Sequence, residues 1–278
     1  MLKKCLKYDM RASWRIWLIL SILVLSLSVV GGFAVAGMGS DNPFVSMISA
    51  LTMMPAMVSL VAYPIAMSII VGVRCYTNFY TDEGYLTFTL PVRRRTHLHS
   101  KLISAGIFMG SSILVDLVAI LIIAEIASLF EGGNAIVEIF GGIGNLFGML
   151  IADGGFHGVM VIILSILAIL LFGACMLLWF YFAITFGAMA ARRLKLLAII
   201  ATVYISEMIF NAIFTVNFFL VALVISGIAE GLGSILTAGE MEAMIWLSLL
   251  ILCAVLATVA SLFYRYIVSR LEKNLNLA

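Results

Sequence analysis

Residues 16–38 read IWLILSILVLSLSVVGGFAVAGM and contain no charged side chain. Five further apolar runs lie near 44–73, 102–129, 159–191, 196–229 and 243–268. Each is longer than the ~20 residues that cross a bilayer as a helix. Hydrophobic residues make up 64% of the 278 residues and charged residues only 11%, against roughly 50% and 25% in soluble domains. Because backbone polar groups must be paired in lipid, the sequence predicts an all-α integral membrane protein with six transmembrane helices.

The positive charges occupy alternate gaps between these runs. All 16 Lys and Arg lie before residue 16 or in the segments 74–101, 192–195 and 265–273. The gaps 39–43, 130–158 and 230–242 contain acids but no Lys or Arg. Under the positive-inside rule, the cationic segments face the cytoplasm, and both termini are predicted to be cytoplasmic. This distribution argues for a chain embedded in a lipid bilayer and against a nucleic-acid-binding protein.

The N-terminal segment 1–15 has a helical pattern of its own. Its cations recur every four residues, at Lys3, Lys7, Arg11 and Arg15. A second stripe is apolar and consists of Leu2, Leu6, Met10, Trp14 and Trp17. The two stripes predict an amphipathic helix lying at the cytoplasmic membrane interface. The alternative is a disordered basic tail.

No soluble stretch is long enough to fold alone, so we predict a single membrane domain over residues 1–278. The longest gap without cations, 130–158, contains nine glycines around an apolar core from Ile143 to Ile151. This composition is typical of a short helix or re-entrant element on the outer side. A flexible glycine-rich connection is the alternative.

Residue constellations for catalysis are missing from the sequence. There is no G-x-x-x-x-G-K-[ST] phosphate-binding loop, and His97-x-His99 is the closest approach to a pair of metal ligands. Two loop histidines without a nearby Cys or carboxylate make a poor metal site. We therefore expect no metal site and no cofactor in this chain, and we do not expect it to be an enzyme.

Three acids lie inside the apolar runs: Asp116, Glu125 and Glu207. Asp116 and Glu207 follow the nearest cytoplasmic lysine by about 22 and 18 Å of helix, which places them near mid-bilayer, whereas Glu125 lies nearer the outer edge. Charged groups at this depth usually face protein or a wet cavity. The acids are therefore candidates for a translocation path. The alternative is a protonated carboxyl that hydrogen-bonds a neighbouring helix.

The most distinctive cytoplasmic segment is 74–101, which includes the sequence DEGYLTFTLPV at 82–92. Large apolar side chains follow one another closely there, at Tyr85, Leu86, Phe88 and Leu90, between Gly84 and Pro91. A loop that faces water has no need of them, whereas a surface that docks into a groove of a partner does. A basic loop that dips into the membrane interface is the alternative.

Residues 82–92, followed by Ser100-Lys101-Leu102, resemble the corresponding loop of bacterial ABC export permeases of the type-2 class. The interfacial N-terminal helix and the six spans are also similar to that family. The resemblance implies a plasma-membrane subunit that pairs with a second permease chain and with two separate ATPase subunits, which bind ATP and magnesium. It also implies that the loop forms a coupling helix on the ATPase, through Asp82, Glu83, Gly84, Tyr85, Leu86, Phe88, Leu90 and Pro91. The glycine-rich segment 130–158 departs from the better-known members.

The sequence therefore predicts the permease subunit of an ATP-driven exporter. One rival is a proton-coupled secondary transporter that uses Asp116 and Glu207, although the internal repeat typical of such proteins is missing. Another is a membrane anchor or sensor that recruits a cytoplasmic protein through the same loop without transporting anything.

Overall fold

The computed structural model describes residues 2–81, 94–190, 197–209 and 238–273, together with 211, 212, 215 and 219. Three long helices come first: α1 (Leu2–Met38), α2 (Pro43–Tyr80) and α3 (Arg94–Glu131). The helical stretch Ala135–Ala190 is interrupted at Gly155, and we name its two parts α4 (Ala135–Ala152) and α5 (Gly155–Met189). A shorter helix, α6 (Leu197–Ile209), and the last helix, α7 (Ala238–Lys273), complete the described part.

Six of these helices are long and apolar enough to cross a membrane: α1, α2, α3, α4, α5 and α7. The prediction of an all-helical, multi-pass membrane protein is confirmed at this level. The six helices are not quite the six predicted spans. One of them, α4, comes from the glycine-rich segment, whereas the predicted span 196–229 is described mainly as α6 and lies otherwise outside the described residues.

The first helix is longer than its apolar run. α1 has 37 residues, or about 55 Å of helix, against a hydrocarbon core of about 30 Å. Residues 2–15, predicted to form an amphipathic helix, make up its first turns and continue directly into the apolar part. Their helical structure is thus confirmed, and their position at the membrane interface stays a prediction.

A short turn joins α1 to α2. The Asn42 side-chain oxygen accepts a hydrogen bond from the Phe44 amide at 3.1 Å, which satisfies one of the free amides at the start of α2. Pro43 occupies the first helical position, where its missing N–H costs nothing. The apolar pattern therefore resumes immediately after the turn.

By its contacts, the chain divides into two compact units. The first comprises residues 1–74 and 91–146, and the second comprises residues 75–90 and 147–278.

In the first unit, α1 and α2 run antiparallel. Contacts later in α1 are made to residues earlier in α2, so the two residue numbers of each pair have a nearly constant sum, between 84 and 87. These pairs are Ala12–Arg74, Ser21–Tyr63 and Gly31–Ala56. In contrast, α1 and α3 run parallel. Contacts later in α1 are made to residues later in α3, so the two residue numbers of each pair have a nearly constant difference, between 92 and 94. These pairs are Asp9–Lys101, Gly31–Ile123 and Gly32–Ile126. The buried core contains Val24, Tyr63, Met67, Phe108 and Ala119.

Two glycines allow this close packing. A Cβ atom at Gly31 would lie 2.6 Å from the Cβ of Ala56 in α2, and one at Gly32 would lie 2.7 Å from the Cβ of Ile126 in α3. Both distances are shorter than van der Waals contact, so only glycine fits. Small residues at helix interfaces are a usual means of association in membranes, where burial of apolar surface provides little driving force.

The second unit is rich in aromatic contacts. The Phe182 ring of α5 lies 4.9 Å from Tyr266 and 5.1 Å from Phe263, both in α7, and Trp179 makes an edge contact with Phe263 at 5.1 Å. These are distances at which aromatic pairs contribute about 0.5–1.5 kcal/mol beyond burial. They join about one turn of α5 to about one turn of α7.

Candidate functional site

The predicted coupling residues 82–91, from Asp82 to Pro91, lie outside the described residues. The helices that precede and follow these residues are part of the described structure. α2 reaches Tyr80, and α3 begins at Arg94. Both flanks are fastened by polar contacts that involve residues far away in the sequence.

On the C-terminal flank, Ser100 and Lys101 of α3 contact the same carboxylate. The Ser100 hydroxyl donates a hydrogen bond to Oδ2 of Asp9 at 2.6 Å, and the Lys101 ammonium forms an ion pair with Oδ1. The Asp9 and Lys101 side chains are only 16% and 12% exposed, and Ser100 is fully buried. Both carboxylate oxygens therefore have a partner in a largely water-excluded setting, where charge-assisted hydrogen bonds are strongest.

On the N-terminal flank, Arg74 of α2 donates a hydrogen bond to the carbonyl of Ala12. Ala12 follows Asp9 by less than one helical turn, so one turn of α1 contacts both flanks. His97 is buried next to this group and interacts electrostatically with Asp9 and Lys101. We refer to Asp9, Ala12, Arg74, Ser100 and Lys101 as the Asp9 anchor.

The last turns of α2 make a separate set of contacts within the second unit. The Tyr80 hydroxyl donates a hydrogen bond to Oγ1 of Thr185 at 2.9 Å, and Thr185 in turn donates to the Tyr181 carbonyl at 2.7 Å. Phe79 is 1% exposed. The segment immediately before the predicted loop is thus part of a packed helix up to Tyr80.

Asp116 lies about halfway along α3. The α1–α3 register places it next to Val24, about one turn beyond the hydrogen bond of 2.7 Å between Ser21 and Tyr63, and it interacts electrostatically with Tyr63. Its Oδ1 atom is buried, and no hydrogen-bond partner for that atom is found among the described residues. Asp116 therefore remains a candidate for the translocation path.

Glu125 has a structural partner. Its Oε2 atom accepts a hydrogen bond from the Ile136 amide at 2.9 Å, and the Ser128 hydroxyl accepts one from the Ala135 amide at 3.0 Å. Both amides belong to the first turn of α4, so the end of α3 caps the helix that follows it. This contact explains an acid at that position without any role in transport.

The three predicted acids are distributed over both units of the chain. Asp116 and Glu125 are separated by about 13 Å along α3, and Glu207 belongs to α6 in the second unit, where its side chain is half-buried. Within the described ranges, no three His, Cys, Asp or Glu side chains are arranged as metal ligands. Cys5, Cys75, Cys175 and Cys253 are free thiols.

Comparison with models of protein families, with curated proteins and with solved structures finds no match for this chain. A functional proposal therefore depends on the residues themselves.

The Asp9 anchor was not anticipated from the sequence. Asp9 is the only acid among the first 40 residues, and a single acid within a basic segment was a signal of a specific partner. The identity of that partner, 92 positions away, follows only from the parallel packing of α1 and α3.

Proposed function

We propose that the chain is the membrane-spanning subunit of an ATP-driven exporter in a bacterial plasma membrane. Residues 74–101 act as the loop that couples a separate ATPase subunit to the membrane helices. The observation that carries this proposal is the Asp9 anchor, because it ties both flanks of the loop to one turn of α1.

A loop that transmits motion needs stiff attachments. If the loop were joined to the helices through flexible chain, a displacement on the ATPase would be lost in the connection. Here, Arg74 precedes the segment 82–93 and Lys101 follows it, and both are fastened to α1 by charged groups. A displacement of the loop is therefore passed to α1, α2 and α3 together, as in rigid-body switching.

The orientation in this proposal follows from the charges. The cation-bearing segments, including the Asp9 anchor, the loop and both termini, are cytoplasmic, and the first turns of α1, which carry five of the cations, extend α1 toward that side. ATP and magnesium bind to the ATPase subunit, and two permease chains, identical or different, complete the transporter.

The proposal is tested by replacing the apolar side chains of the loop and measuring whether an ATPase still copurifies with the chain. Replacing Tyr85, Leu86 and Phe88 with Ser removes three groups that each contribute about 1.5–3 kcal/mol when buried in a groove. We expect the variant to insert normally, because insertion depends on the apolar helices, but not to copurify with an ATPase.

A matched control is available in the same loop. Replacing Thr87 and Thr89 with Ser changes two positions without removing a large apolar group, and we expect full copurification. If the triple variant retains its ATPase and its transport, the coupling-loop proposal is wrong. Copurification of a partner without ATPase activity would favour the anchor or sensor function.

Proton-coupled secondary transport is the second candidate, and one observation favours it. The buried Oδ1 atom of Asp116 lacks a partner among the described residues and lies near the Ser21–Tyr63 pair, as expected for a carboxyl that gains and loses a proton. In reconstituted vesicles, transport driven by a pH gradient without ATP would support this function. Dependence on ATP and on a copurified ATPase would exclude it.

A further inference from the structure

The helix α4 (Ala135–Ala152) has one strongly apolar face. At 100° per residue, seven large apolar side chains lie within about 60° of the Ile143 direction, Ile143 included: Ile136, Ile139, Phe140, Ile143, Leu146, Phe147 and Leu150. Each of them is between 38% and 63% exposed. The opposite face carries Glu138, Gly141, Asn145, Gly148 and Ala152.

The start of α4 is held at the far end of α3. Glu125 and Ser128 accept hydrogen bonds from its first amides. Glu125 follows Lys101 by 24 residues, or about 36 Å of helix, which is more than the hydrocarbon thickness of about 30 Å. With Lys101 at the cytoplasmic surface, α4 therefore begins at the outer surface.

The other end of α4 is a sharp corner. Gly155 has φ of 51° and ψ of −122°, a conformation that is open essentially to glycine alone. A Cβ atom at Gly158 would lie 1.7 Å from the Leu150 carbonyl oxygen. In a continuous helix, these residues would be separated by about 12 Å along the axis. The chain direction thus changes abruptly between α4 and α5.

The distribution of Lys and Arg along the sequence argues against α4 crossing the membrane. If α4 crossed, α5 and the following spans would reverse, and the cations at 192–195 and 265–273 would lie outside, contrary to the positive-inside rule. Asn145 and the neighbouring glycines would also occupy the bilayer centre.

We propose that α4 lies in the plane of the outer membrane surface, with its apolar face in the lipid and its Glu138, Gly141 and Asn145 face toward water. The apolar face contacts the outer lipid leaflet, because α3 ends at the outer membrane surface and α5 starts from it. An interfacial helix lies in the membrane plane with its apolar face sunk by about 5–10 Å, and the small and polar residues of the opposite face of α4 avoid placing a large apolar group in water. The proposal depends on the charge-based orientation and is independent of the transport function.

Depth measurements on the full chain test this proposal. Spin labels are attached to Ile136→Cys, Ile143→Cys or Leu150→Cys, in a background in which the four native cysteines are replaced. The protein is reconstituted in vesicles of phosphatidylethanolamine and phosphatidylglycerol. Collisions with oxygen and with a water-soluble nickel chelate report the depth of each label. These three positions share one face at heptad spacing, so we expect equal depths, and Asn145→Cys should be more accessible to nickel.

A crossing helix gives a different profile and would overturn the proposal. The label at Ile143 would then lie about 10 Å deeper than those at Ile136 and Leu150, because seven residues separate each pair. Exclusion of both reagents, with magnetic broadening between labels, would show that a second copy covers this face, and would also overturn it.

A second measurement does not require purification. In cells that carry the cysteine-free background, an impermeant thiol reagent added outside should label Asn145→Cys and leave Arg192→Cys unlabelled. Labelling of Arg192→Cys from outside would mean that α4 crosses.

Discussion

Removing the charge of Asp9 should loosen the Asp9 anchor, which joins α1 to the helices on either side of residues 82–93. In Asp9→Asn, the side chain keeps its shape and an acceptor for Ser100, but the ion pair with Lys101 is lost. Exposed ion pairs contribute about 0.2–1 kcal/mol, whereas hydrogen bonds to charged groups contribute about 1.5–3 kcal/mol. With exposures of 16% and 12%, the Asp9–Lys101 pair belongs near the second range. We therefore expect a loss of about 2 kcal/mol in the free energy of unfolding.

The assay is thermal unfolding of the purified protein in detergent. For large domains, 1 kcal/mol corresponds to about 2–4 °C, so Asp9→Asn should lower the melting temperature by about 4–8 °C. Asp41→Asn is the matched control, because Asp41 is exposed in the turn between α1 and α2. Lys101→Met should lower the melting temperature similarly, and the double variant should lose less than the sum of the two.

Two results would refute the reasoning. If Asp9→Asn unfolds at the same temperature as Asp41→Asn, the pair does not stabilise the protein. If the effects of Asp9→Asn and Lys101→Met are additive, the two residues do not interact. In the complex with the ATPase, Asp9→Asn should retain the partner but transport less substrate for each ATP hydrolysed.

Three further predictions concern packing, transport and orientation. Gly32→Ala should destabilise the first unit by about 1–3 kcal/mol in thermal unfolding through overpacking, whereas Gly110→Ala, with nothing within 4 Å of the new Cβ in the described structure, should not. Asp116→Asn should lower transport in vesicles while expression stays unchanged, and normal transport would assign Asp116 to packing. An impermeant thiol reagent should label Glu240→Cys but not Arg94→Cys from outside, and the reverse pattern would overturn the orientation.

The apolar spans were predictable because hydrophobicity along the chain is a local property. The predicted end of the first span at Met38 coincides with the end of α1, and the predicted start of the second near residue 44 lies next to Pro43. The helix ends that border the cationic segments were not predictable in the same way. α3 begins at Arg94, eight residues before the predicted span. The length of an apolar run shows how much of a helix lies in the lipid, but it does not show how far the helix continues beyond the lipid.

Contacts between distant residues could not be derived from the sequence. The role of Glu125 in capping α4 requires the chain to turn tightly after Glu131, and the close approach at Gly31 and Gly32 requires the positions of α2 and α3. For the glycine-rich segment, the sequence left a helix and a flexible connection open. The helix is what forms, and its break falls at Gly155, one of nine glycines with similar local signals.

The most direct test of the central claim is photo-crosslinking from Phe88 in living cells. A photoreactive amino acid at Phe88 should form an adduct with a protein that hydrolyses ATP, because we propose that the coupling loop docks on that subunit. The same amino acid at Val30, which is exposed on α1 within the apolar run, should react with lipid only and serves as the control. An adduct with the ATPase at Phe88 is the predicted result. Reaction at Phe88 with lipid alone, as at Val30, would contradict the account and identify the segment as a loop that dips into the membrane interface.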